Sequence, residues 1–528
     1  MRRRALTALV LALLAGLVPP ATTNAQTAAR APGVQAAAGA PGVQAAALGE
    51  TATGATGDVP TAGPPSTTGT GTTGTIVIPP PPAPAAPPAP AVAPSAGLQA
   101  RLARLQEFGQ VRPRGDVGLA VIDAAGNVLA DTAAERPGVP ASTMKLLTAA
   151  AALRLLGGQH RFVTRVHTTA PPDASGVVDG DLVLVGGGDP VLHSPRYIRQ
   201  VYRDRPATRL NHLAAHVARA GVTRVTGRVI ADAAILADEP LAEGWRADYL
   251  TSLDSSRSAG LTVDAGLRLF RRSGTLHAEA ADDPAARAAI ELTNLLEDHG
   301  VRVDHAPTRR DGTARGGEVA RVVSPPLSEL LAHMLRTSDN HLADGVFRML
   351  GASTGDPTWA GSAAAVRATF ADVDAEWEGL RLADGSGLSR ANRLSPAALV
   401  RVLHALSAGP LRAQWLEIQA VAGESGTMRA RLAGTQAAGR VHAKTGTLRD
   451  VRSLAGTVPA PDGADHHFAV ITQGLESYAD IAAARRLADV TALALVVEQD
   501  GCRGRVAVPD RRPGRSPEAL LCGARRAS

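Results

Sequence analysis

The segment PASTMKLLTAAAALRLLGG (residues 140–158) decides the fold of this 528-residue chain. Leucine and alanine fill nearly every position after Lys145, and two glycines end the run. The segment therefore predicts a buried helix from Ser142 to Leu156. Because Ser142 opens this helix, its backbone N–H has no partner within the helix, and the helix dipole favours negative charge beside it.

Lys145 follows Ser142 by three residues, which places both side chains on one face of the helix. To accept a proton near neutral pH, the amine needs a pKa well below its usual value of about 10.4, which burial can produce. Lysine occurs only at positions 145 and 444, although lysine and arginine together number 55. Arginine does not deprotonate in proteins, so two retained lysines indicate chemistry. Taken alone, however, a Ser-x-x-Lys motif at a helix start is common, and a helix N-cap would be the better interpretation of Ser142.

Two further motifs follow along the chain. Ser338-Asp339-Asn340 lies between helical segments, where a hydroxyl can relay a proton and an amide can orient a lysine; a helix N-cap is the alternative. His442–Thr447 reads as a strand, and an edge strand can pair with an extended peptide. There Lys444 supplies charge, Gly446 permits close approach and the N–H of Thr447 can bind an oxyanion. The alternative for this stretch is an ordinary strand that ends at a glycine turn.

The three motifs occur in the order Ser-x-x-Lys, Ser-x-Asn, Lys-Thr-Gly, the set found in penicillin-binding proteins and class A β-lactamases. Ser142 and Ser338 are 196 residues apart, far more than a β-lactamase places between these motifs. The chain therefore resembles the low-molecular-mass class C penicillin-binding proteins, the D-alanyl-D-alanine carboxypeptidase/endopeptidase family. The resemblance covers residues 97 to 500 and includes GDLVLVGGGDP (180–190), DGSGLSR (384–390) and GTM (426–428).

This resemblance implies an α+β, β-lactamase/transpeptidase-like fold, in which an antiparallel sheet is flanked by helices and joined to a helical lobe. It also implies a large inserted region between the first two motifs. The boundaries that we expect are a signal peptide (1–25), a spacer (26–96), a first catalytic segment (97–165), inserted domain or domains (166–321), a second catalytic segment (322–500) and a basic tail (501–528).

The resemblance also implies roles for individual residues. Ser142 would be acylated by a peptidoglycan stem peptide ending in D-Ala-D-Ala, with Lys145 as base, Ser338 as proton donor to the leaving D-Ala and Asn340 orienting Lys145 and the substrate. Lys444 would help to hold the terminal carboxylate. β-Lactams would inhibit by acylating the same serine, and no metal or cofactor is expected. The residues implied in substrate binding are Thr445, Gly446, Thr447, Ser386, Gly387, Arg390 and Asp232.

The N-terminus of the chain indicates export. Three arginines, an apolar run over residues 5–18 and a small-residue site at 23–25 resemble a signal peptide. The run is shorter than the roughly 20 residues of a membrane-spanning helix; left uncleaved, it would serve as an anchor. Residues 26–96 are rich in Ala, Gly, Thr and Pro and predict a disordered spacer. In an exported chain, Cys502 and Cys522 predict a disulfide.

Other functional classes fit the sequence less well. The net charge is +6, but the arginines are scattered and only 3% of residues are aromatic, so we expect no nucleic-acid binding. Ser353 lies in a G-x-S-x-G pattern, but a helix precedes it where a nucleophile elbow requires a strand. His212 and His216 have helical spacing but lack the glutamate of a zinc protease motif.

Two alternatives share the expected fold. A β-lactamase would need a base for rapid hydrolysis of the acyl-enzyme, and Glu424 is the only acid in the stretch leading up to the third motif. A catalytically weak wall-binding or antibiotic-sensing protein would be acylated without turnover. Release of free D-alanine from a stem-peptide mimic distinguishes the enzyme from the sensor.

Overall fold

The computed structural model describes residues 96–106 and 111–500. The expected signal peptide, nearly all of the expected spacer and the Cys502–Cys522 disulfide lie outside the described residues. Within those ranges, no helix combines the length and apolar character that crossing a bilayer requires.

A six-stranded sheet forms the centre of the catalytic region, and its neighbouring strands all pair antiparallel in the order β15-β16-β17-β18-β1-β2. Strand β16 continues through the glycine of its Lys-Thr-Gly motif, because β17 pairs with it along its whole length. The fold class expected from the sequence is confirmed. The strands are β1 (Asp116–Ile122), β2 (Val128–Thr132), β15 (Ala420–Val421), β16 (His442–Leu448), β17 (Val451–Val458) and β18 (His466–Gln473).

Each face of this sheet is covered by a separate hydrophobic core. Because side chains alternate along a strand, β1 contributes residues to both cores. Leu119 and Val121 pack into the core beneath α1 (Ala96–Gln106) and α12 (Tyr478–Gln499). Ala120 and Ile122 point to the opposite face and join the core of the helical lobe.

The helical lobe is built around α2, which is buried from Met144 to Leu153. The helix predicted from Ser142 begins as a 3₁₀ turn over Ala141–Thr143 and becomes α-helical at Met144. The helical sequence expected over residues 326–350 is two helices, because the chain breaks at Ser338. The lobe contains α2 (Met144–Leu155), α7 (Leu327–Thr337), α8 (Asn340–Ser353), α9 (Trp359–Thr369), α10 (Pro396–Ser407) and α11 (Arg412–Ile418).

Between α2 and α7 the chain forms a second sheet in the order β13-β9-β5-β3-β14 and a small parallel sheet in the order β12-β8-β4. The apolar residues of the stretch 225–230 predict one strand, but this stretch contributes to two strands in different sheets. The strands are β3 (Val163–Thr168), β4 (Val177–Val178), β5 (Leu182–Val185), β8 (Arg224–Val225), β9 (Val229–Asp232), β12 (Arg302–Val303), β13 (Thr308–Arg309) and β14 (Glu318–Val323).

This region has its own hydrophobic core beneath α4 and α6. Two short pairs, parallel β6-β7 and antiparallel β10-β11, complete it. These elements are α3 (Pro195–Gln200), α4 (Leu210–Arg219), α5 (Asp248–Ser252), α6 (Pro284–Asp298), β6 (Leu192–His193), β7 (Thr208–Arg209), β10 (Leu267–Arg272) and β11 (Thr275–Ala280).

Candidate active site

Ser142 and Lys145 lie together where α2 approaches the edge of the six-stranded sheet. Lys145 Nζ is 3.1 Å from Ser142 Oγ. The lysine is fully buried, whereas Ser142 is partly exposed and lines an open cleft. Ala141, immediately before the serine, adopts a left-handed backbone conformation with φ 48°. A buried amine thus faces an accessible hydroxyl.

Two further groups hold the amine of Lys145, and both can only accept hydrogen bonds. Asn340 Oδ1 is 2.7 Å from Nζ, and the carbonyl oxygen of Ser386 is 2.6 Å away. A neutral amine has two N–H groups and one lone pair. With both N–H groups directed to these acceptors, the lone pair of neutral Lys145 faces the hydroxyl of Ser142, the arrangement that a general base requires.

Burial of the amine shifts its protonation equilibrium towards this neutral form. Burial lowers the pKa of Lys145 to about 8, although the carboxylates of Asp344, Asp384 and Asp339 oppose this by stabilising the charged amine. A substantial fraction of Lys145 is therefore unprotonated at mildly alkaline pH.

The second lysine has a corresponding relationship with a second serine. Lys444 Nζ donates to Ser338 Oγ at 2.9 Å and to the carbonyl oxygen of Thr445 at 2.8 Å. Burial, followed by the charge of Lys145, lowers the pKa of Lys444 well below its usual value. An incoming carboxylate would oppose this effect and stabilise the charged amine.

Ser338 takes its position from the break between α7 and α8. Its backbone is left-handed, with φ 64°, and the next residue, Asp339, caps α8 by accepting from the N–H of Leu342. The N-cap expected as an alternative to a functional site is therefore present, but it is Asp339 that makes it. Asn340 is fixed from its other side, because its Nδ2 donates to the carbonyl oxygen of Asp254 at 2.7 Å.

The 384–390 loop packs against the turn that carries Ser142, and hydrogen bonds to Asp384 fix its conformation. The carboxylate of Asp384 accepts hydrogen bonds from the backbone N–H groups of Gly387 and Ser389 and from the indole of Trp245. Gly387 has φ +83°, and a Cβ there would lie 1.9 Å from the carbonyl oxygen of Ala141. The loop is thereby held against the 3₁₀ turn that leads into α2.

Strand β16 forms one wall of the cleft and offers its edge to a ligand. The two-residue strand β15 pairs only with His442 and Ala443. Thr445 and Thr447 then line the cleft. Gly446 is required here, because a Cβ would lie 2.0 Å from Ser453 Oγ and 2.8 Å from the carbonyl oxygen of Pro140.

The cleft has a volume of about 650 Å³ and an arginine-rich rim made by Arg246, Arg390, Arg449 and Arg452. Arg390 forms an ion pair with Asp450. Arg246 pairs with Asp248, which also lines the cleft, and the four arginines outnumber Asp248 and Asp254, so the rim carries excess positive charge.

Three of the residues implied in substrate binding lie elsewhere than expected. Asp232 does not line the cleft: its carboxylate is buried in the second sheet and pairs with Arg315 at 2.6 Å. Ser386 is fully buried, and its backbone carbonyl, rather than its hydroxyl, contacts Lys145. Gly387 is packed beneath the helix start. Arg390, by contrast, lines the cleft as expected.

Several residues of the site went unrecognised in the sequence. Asp344 Oδ1 accepts from the backbone N–H groups of Gly385 and Ser386, and so holds the carbonyl that contacts Lys145. Burial raises the pKa of Asp344 well above its usual range. No local motif marks Asp344, which lies in mid-helix, or Asp254, which comes from the inserted region.

The residues that suggested other classes of enzyme do not line this cleft. Ser353 ends α8, and its hydroxyl donates to the carbonyl oxygen of Leu350. His212 is exposed on α4, and His216 contacts the backbone of Arg321. Glu424 is also exposed and is not among the residues that line the cleft. Within the described ranges, no group of three His, Cys, Asp or Glu side chains is arranged to hold a metal ion.

The chain is similar to several known proteins. The profile of the D-Ala-D-Ala carboxypeptidase 3 (S13) family matches residues 99–275 and 271–494. A D-alanyl-D-alanine carboxypeptidase from an Actinomadura species is 30% identical over 440 residues, 69% of this chain and 79% of the relative. Carboxypeptidase DacB from Mycolicibacterium smegmatis is 31% identical over 435 residues, 80% of this chain and 90% of the relative.

Among solved structures, penicillin binding protein 4 from Haemophilus influenzae shares the fold, with a TM-score of 0.63 and 21% identity. The match covers 73% of this chain and 97% of that protein.

Proposed function

The chain belongs to the D-Ala-D-Ala carboxypeptidase 3 (S13) family, and we propose that Ser142 is the nucleophile with which it trims peptidoglycan stem peptides. The enzyme is a hydrolase of the D-Ala-D-Ala carboxypeptidase class. One observation carries the assignment of the nucleophile: Lys145 Nζ lies 3.1 Å from Ser142 Oγ while two acceptors occupy its N–H groups.

In the acylation step, neutral Lys145 takes the proton of Ser142 as Oγ attacks the carbonyl carbon of the penultimate D-Ala. The backbone N–H groups of Ser142 and Thr447 stabilise the oxyanion. The C–N bond breaks, the Ser338 hydroxyl gives its proton to the leaving nitrogen, and the proton that Lys145 took from Ser142 replaces it on Ser338, while Lys444 stays charged.

In the deacylation step, water attacks the ester on Ser142. Neutral Lys145 takes a proton from the water and gives it to Ser142 Oγ as the ester C–O bond breaks. The products are a shortened stem peptide and free D-Ala; Lys145 is neutral again and Lys444 has stayed charged.

The terminal carboxylate of the substrate binds to Lys444 and to the hydroxyls of Thr445 and Thr447. Lys444 can supply the positive charge for this carboxylate because its amine is buried and its hydrogen bonds go to uncharged groups, the hydroxyl of Ser338 and the carbonyl oxygen of Thr445. A β-lactam carries a comparable carboxylate and an acylating carbonyl, so it would occupy the same site and acylate Ser142.

The sequence before the catalytic region supports a location outside the cytoplasm. Residues 1–25 resemble a signal peptide, and the Pro-rich spacer that follows could extend the enzyme into the cell wall. The N-terminal residue of protein recovered from a culture medium or cell envelope checks this assignment. A mature protein that starts at Met1 in the cytoplasm would contradict it.

Intact mass after penicillin treatment, followed by mapping of the modified peptide, tests the nucleophile. We expect one adduct, on Ser142, and release of free D-Ala from a pentapeptide mimic. Ser142→Ala should lose both activities, whereas the matched control Ser353→Ala should keep both. An adduct on another side chain, or acylation without D-Ala release, would contradict the proposal, and the second result would favour a sensor.

A further inference from the structure

Ser338 has a backbone conformation that its surroundings must hold in place. It lies between the end of α7 and Asp339, the N-cap of α8, and its φ of 64° is left-handed. This conformation is strained for a residue that carries a Cβ, and it persists only where neighbouring contacts fix it. The contacts on either side of Ser338 therefore decide whether its hydroxyl stays 2.9 Å from Lys444 Nζ.

The carboxylate of Asp339 links the two helix ends across Ser338. Its Oδ1 accepts from the backbone N–H of Leu342, in the first turn of α8, at 3.0 Å. Its Oδ2 lies 3.8 Å from Nε2 of His333, which is one turn before the end of α7. A single side chain thus contacts the start of α8 and the last turns of α7, and Ser338 is the residue between them.

His333 is enclosed at the place where it meets Asp339. Only 8% of its side chain is exposed, compared with 22% for Asp339. The ring of Tyr202, from the inserted region, packs edge-on against the imidazole with a centroid distance of 5.4 Å. The hydroxyl of Thr337 lies 3.5 Å from Nε2. Because water screens a shielded pair less than an exposed one, the contact between imidazole and carboxylate is stronger here than at the surface.

The protonation of Asp339 agrees with this pairing. Burial acts to raise the pKa of the Asp339 carboxyl, but the imidazole of His333, the N–H of Leu342 and the nearby His341 outweigh burial and lower that pKa below its usual value. Asp339 is therefore a carboxylate at neutral pH. A largely buried carboxylate needs a donor or a cation at each oxygen, and His333 supplies the one at Oδ2.

We infer that His333 is a positioning residue for the reaction, because through Asp339 it keeps Ser338 where the serine hydroxyl can give a proton to the leaving nitrogen. The inference rests on the proposed function, in which Ser338 makes that transfer. His333 is not among the residues that line the catalytic cleft, so its influence must pass through Asp339 and Ser338. Loss of the pair would let α7 and α8 shift relative to each other and move the hydroxyl away from Lys444.

Two substrates with the same acyl group separate the placing of the proton donor from a general loss of structure. One is a peptide that releases D-Ala from an amide bond. The other is a thioester in which D-2-mercaptopropionate replaces the terminal D-Ala, so that the terminal carboxylate is kept. A thiol has a pKa of about 8.5 and can leave as the thiolate, whereas an amine must gain a proton as it leaves.

The main variant is His333→Leu, which removes the partner of Asp339 Oδ2. We expect kcat/KM on the amide to fall about tenfold, because a small displacement of a group that transfers a proton is costly. On the thioester, kcat/KM should stay within about twofold of wild type, because that leaving group needs no proton donor. A merely structural role for His333 would reduce both values together.

Three further variants complete the comparison. His333→Gln keeps a side-chain N–H donor near the position of Nε2 and should lose only about threefold on the amide, since an uncharged donor bonds less strongly to a carboxylate. Ser338→Ala should show the same selectivity for the amide with a larger loss. His299→Leu is the matched control, because His299 is exposed at the end of α6, and it should behave as wild type on both substrates.

The outcomes distinguish this inference from the proposed function. Equal losses on the two substrates in His333→Leu, or an undiminished amide rate, would overturn the positioning role and leave the carboxypeptidase assignment standing. If His333→Leu does not fold, His333→Gln decides by the same criterion. Equal losses in Ser338→Ala would remove Ser338 as the proton donor and the role of His333 with it, and a wild type that releases no D-Ala would overturn the proposed function itself.

Discussion

Lys444 Nζ donates to Ser338 Oγ at 2.9 Å. Each of the two lysines in the chain therefore has its amine within hydrogen-bond distance of a serine hydroxyl from one of the motifs. The surroundings of the two lysines differ. Lys145 is influenced by the carboxylates of Asp344, Asp384 and Asp339, whereas only burial and Lys145 act on the pKa of Lys444. This difference predicts separate roles, with Lys145 as base and Lys444 as the counter-charge for a substrate carboxylate.

Lys145→Arg should abolish acylation while the protein stays folded. Arginine retains the positive charge, but it cannot accept the proton of Ser142. Because general base catalysis typically contributes roughly 10²–10⁴-fold, labelling by fluorescent penicillin should slow by about that factor. An unfolding curve like that of wild type would exclude a folding defect, and undiminished labelling would remove the base assignment.

Lys444→Arg should reduce activity less than Lys145→Arg, because position 444 must supply only a positive charge. We expect a higher KM for a substrate with a free terminal carboxylate and a smaller loss of kcat than in Lys145→Arg. The matched comparison is a substrate whose terminal carboxylate is amidated, for which the variant and wild type should differ less. Equal losses in both lysine variants would disprove the division of roles.

Acylation should accelerate as pH rises through about 8. Burial lowers the pKa of Lys145 to about 8, and only the unprotonated amine can act as base. Below that pH the protonated, inactive form predominates; above it the active fraction approaches its maximum. Because Lys444 must be charged to bind a carboxylate, deprotonation of Lys444 should oppose this gain and produce a bell-shaped profile. A rate of penicillin labelling that is flat between pH 6 and 9 would contradict this assignment.

The sequence predicted the three motifs because each depends on residues that are close together in the chain. Ser142 and Lys145 share a helix face, and Lys444 and Thr445 share a strand. The 384–390 loop was identified by resemblance, but Ser386 was expected to bind substrate, whereas it contacts Lys145 through its backbone carbonyl, which any residue provides. Asp232 was assigned only by resemblance, and folding buries its carboxylate beside Arg315.

The arginine-rich rim could not be predicted for a different reason. Its members come from three separate stretches of the chain, and no periodicity links Arg246 to Arg390 or to Arg452. The antiparallel sheet, in contrast, follows from the resemblance that the three motifs carry, and the turn at Gly126-Asn127 predicts a hairpin strand over Val128–Thr132, which are the bounds of β2.

Gly446→Ala should disturb the site because the added methyl group would overlap neighbouring atoms. The added methyl group would lie 2.0 Å from Ser453 Oγ, the hydroxyl that donates to the carbonyl oxygen of Pro140 at 2.6 Å. Relief of this overlap requires β16 to move away from the nucleophile helix, at a cost of about 1–3 kcal/mol in the free energy of unfolding. The rate of acylation should fall as well, because this movement changes the distance between β16 and Ser142.

The control for this change is Gly317→Ala, because nothing lies within 4 Å of a Cβ at that position. Chemical denaturation together with penicillin labelling measures both effects. Comparable behaviour of the two variants would show that the close approach at Gly446 has no functional consequence.

Asp344→Asn should move the pH dependence without disturbing the fold. The side-chain oxygen of asparagine can still accept from the N–H groups of Gly385 and Ser386, and its amide replaces Oδ2, which has no partner among the described residues. Burial chiefly lowers the pKa of Lys145, and Asp344 is the largest influence that raises it. Removing that carboxylate should therefore lower the pKa further and move the rising limb of the acylation profile to lower pH. An unmoved limb with a normal unfolding curve would mean that Asp344 carries a proton throughout the pH range of the assay and exerts no charge on Lys145.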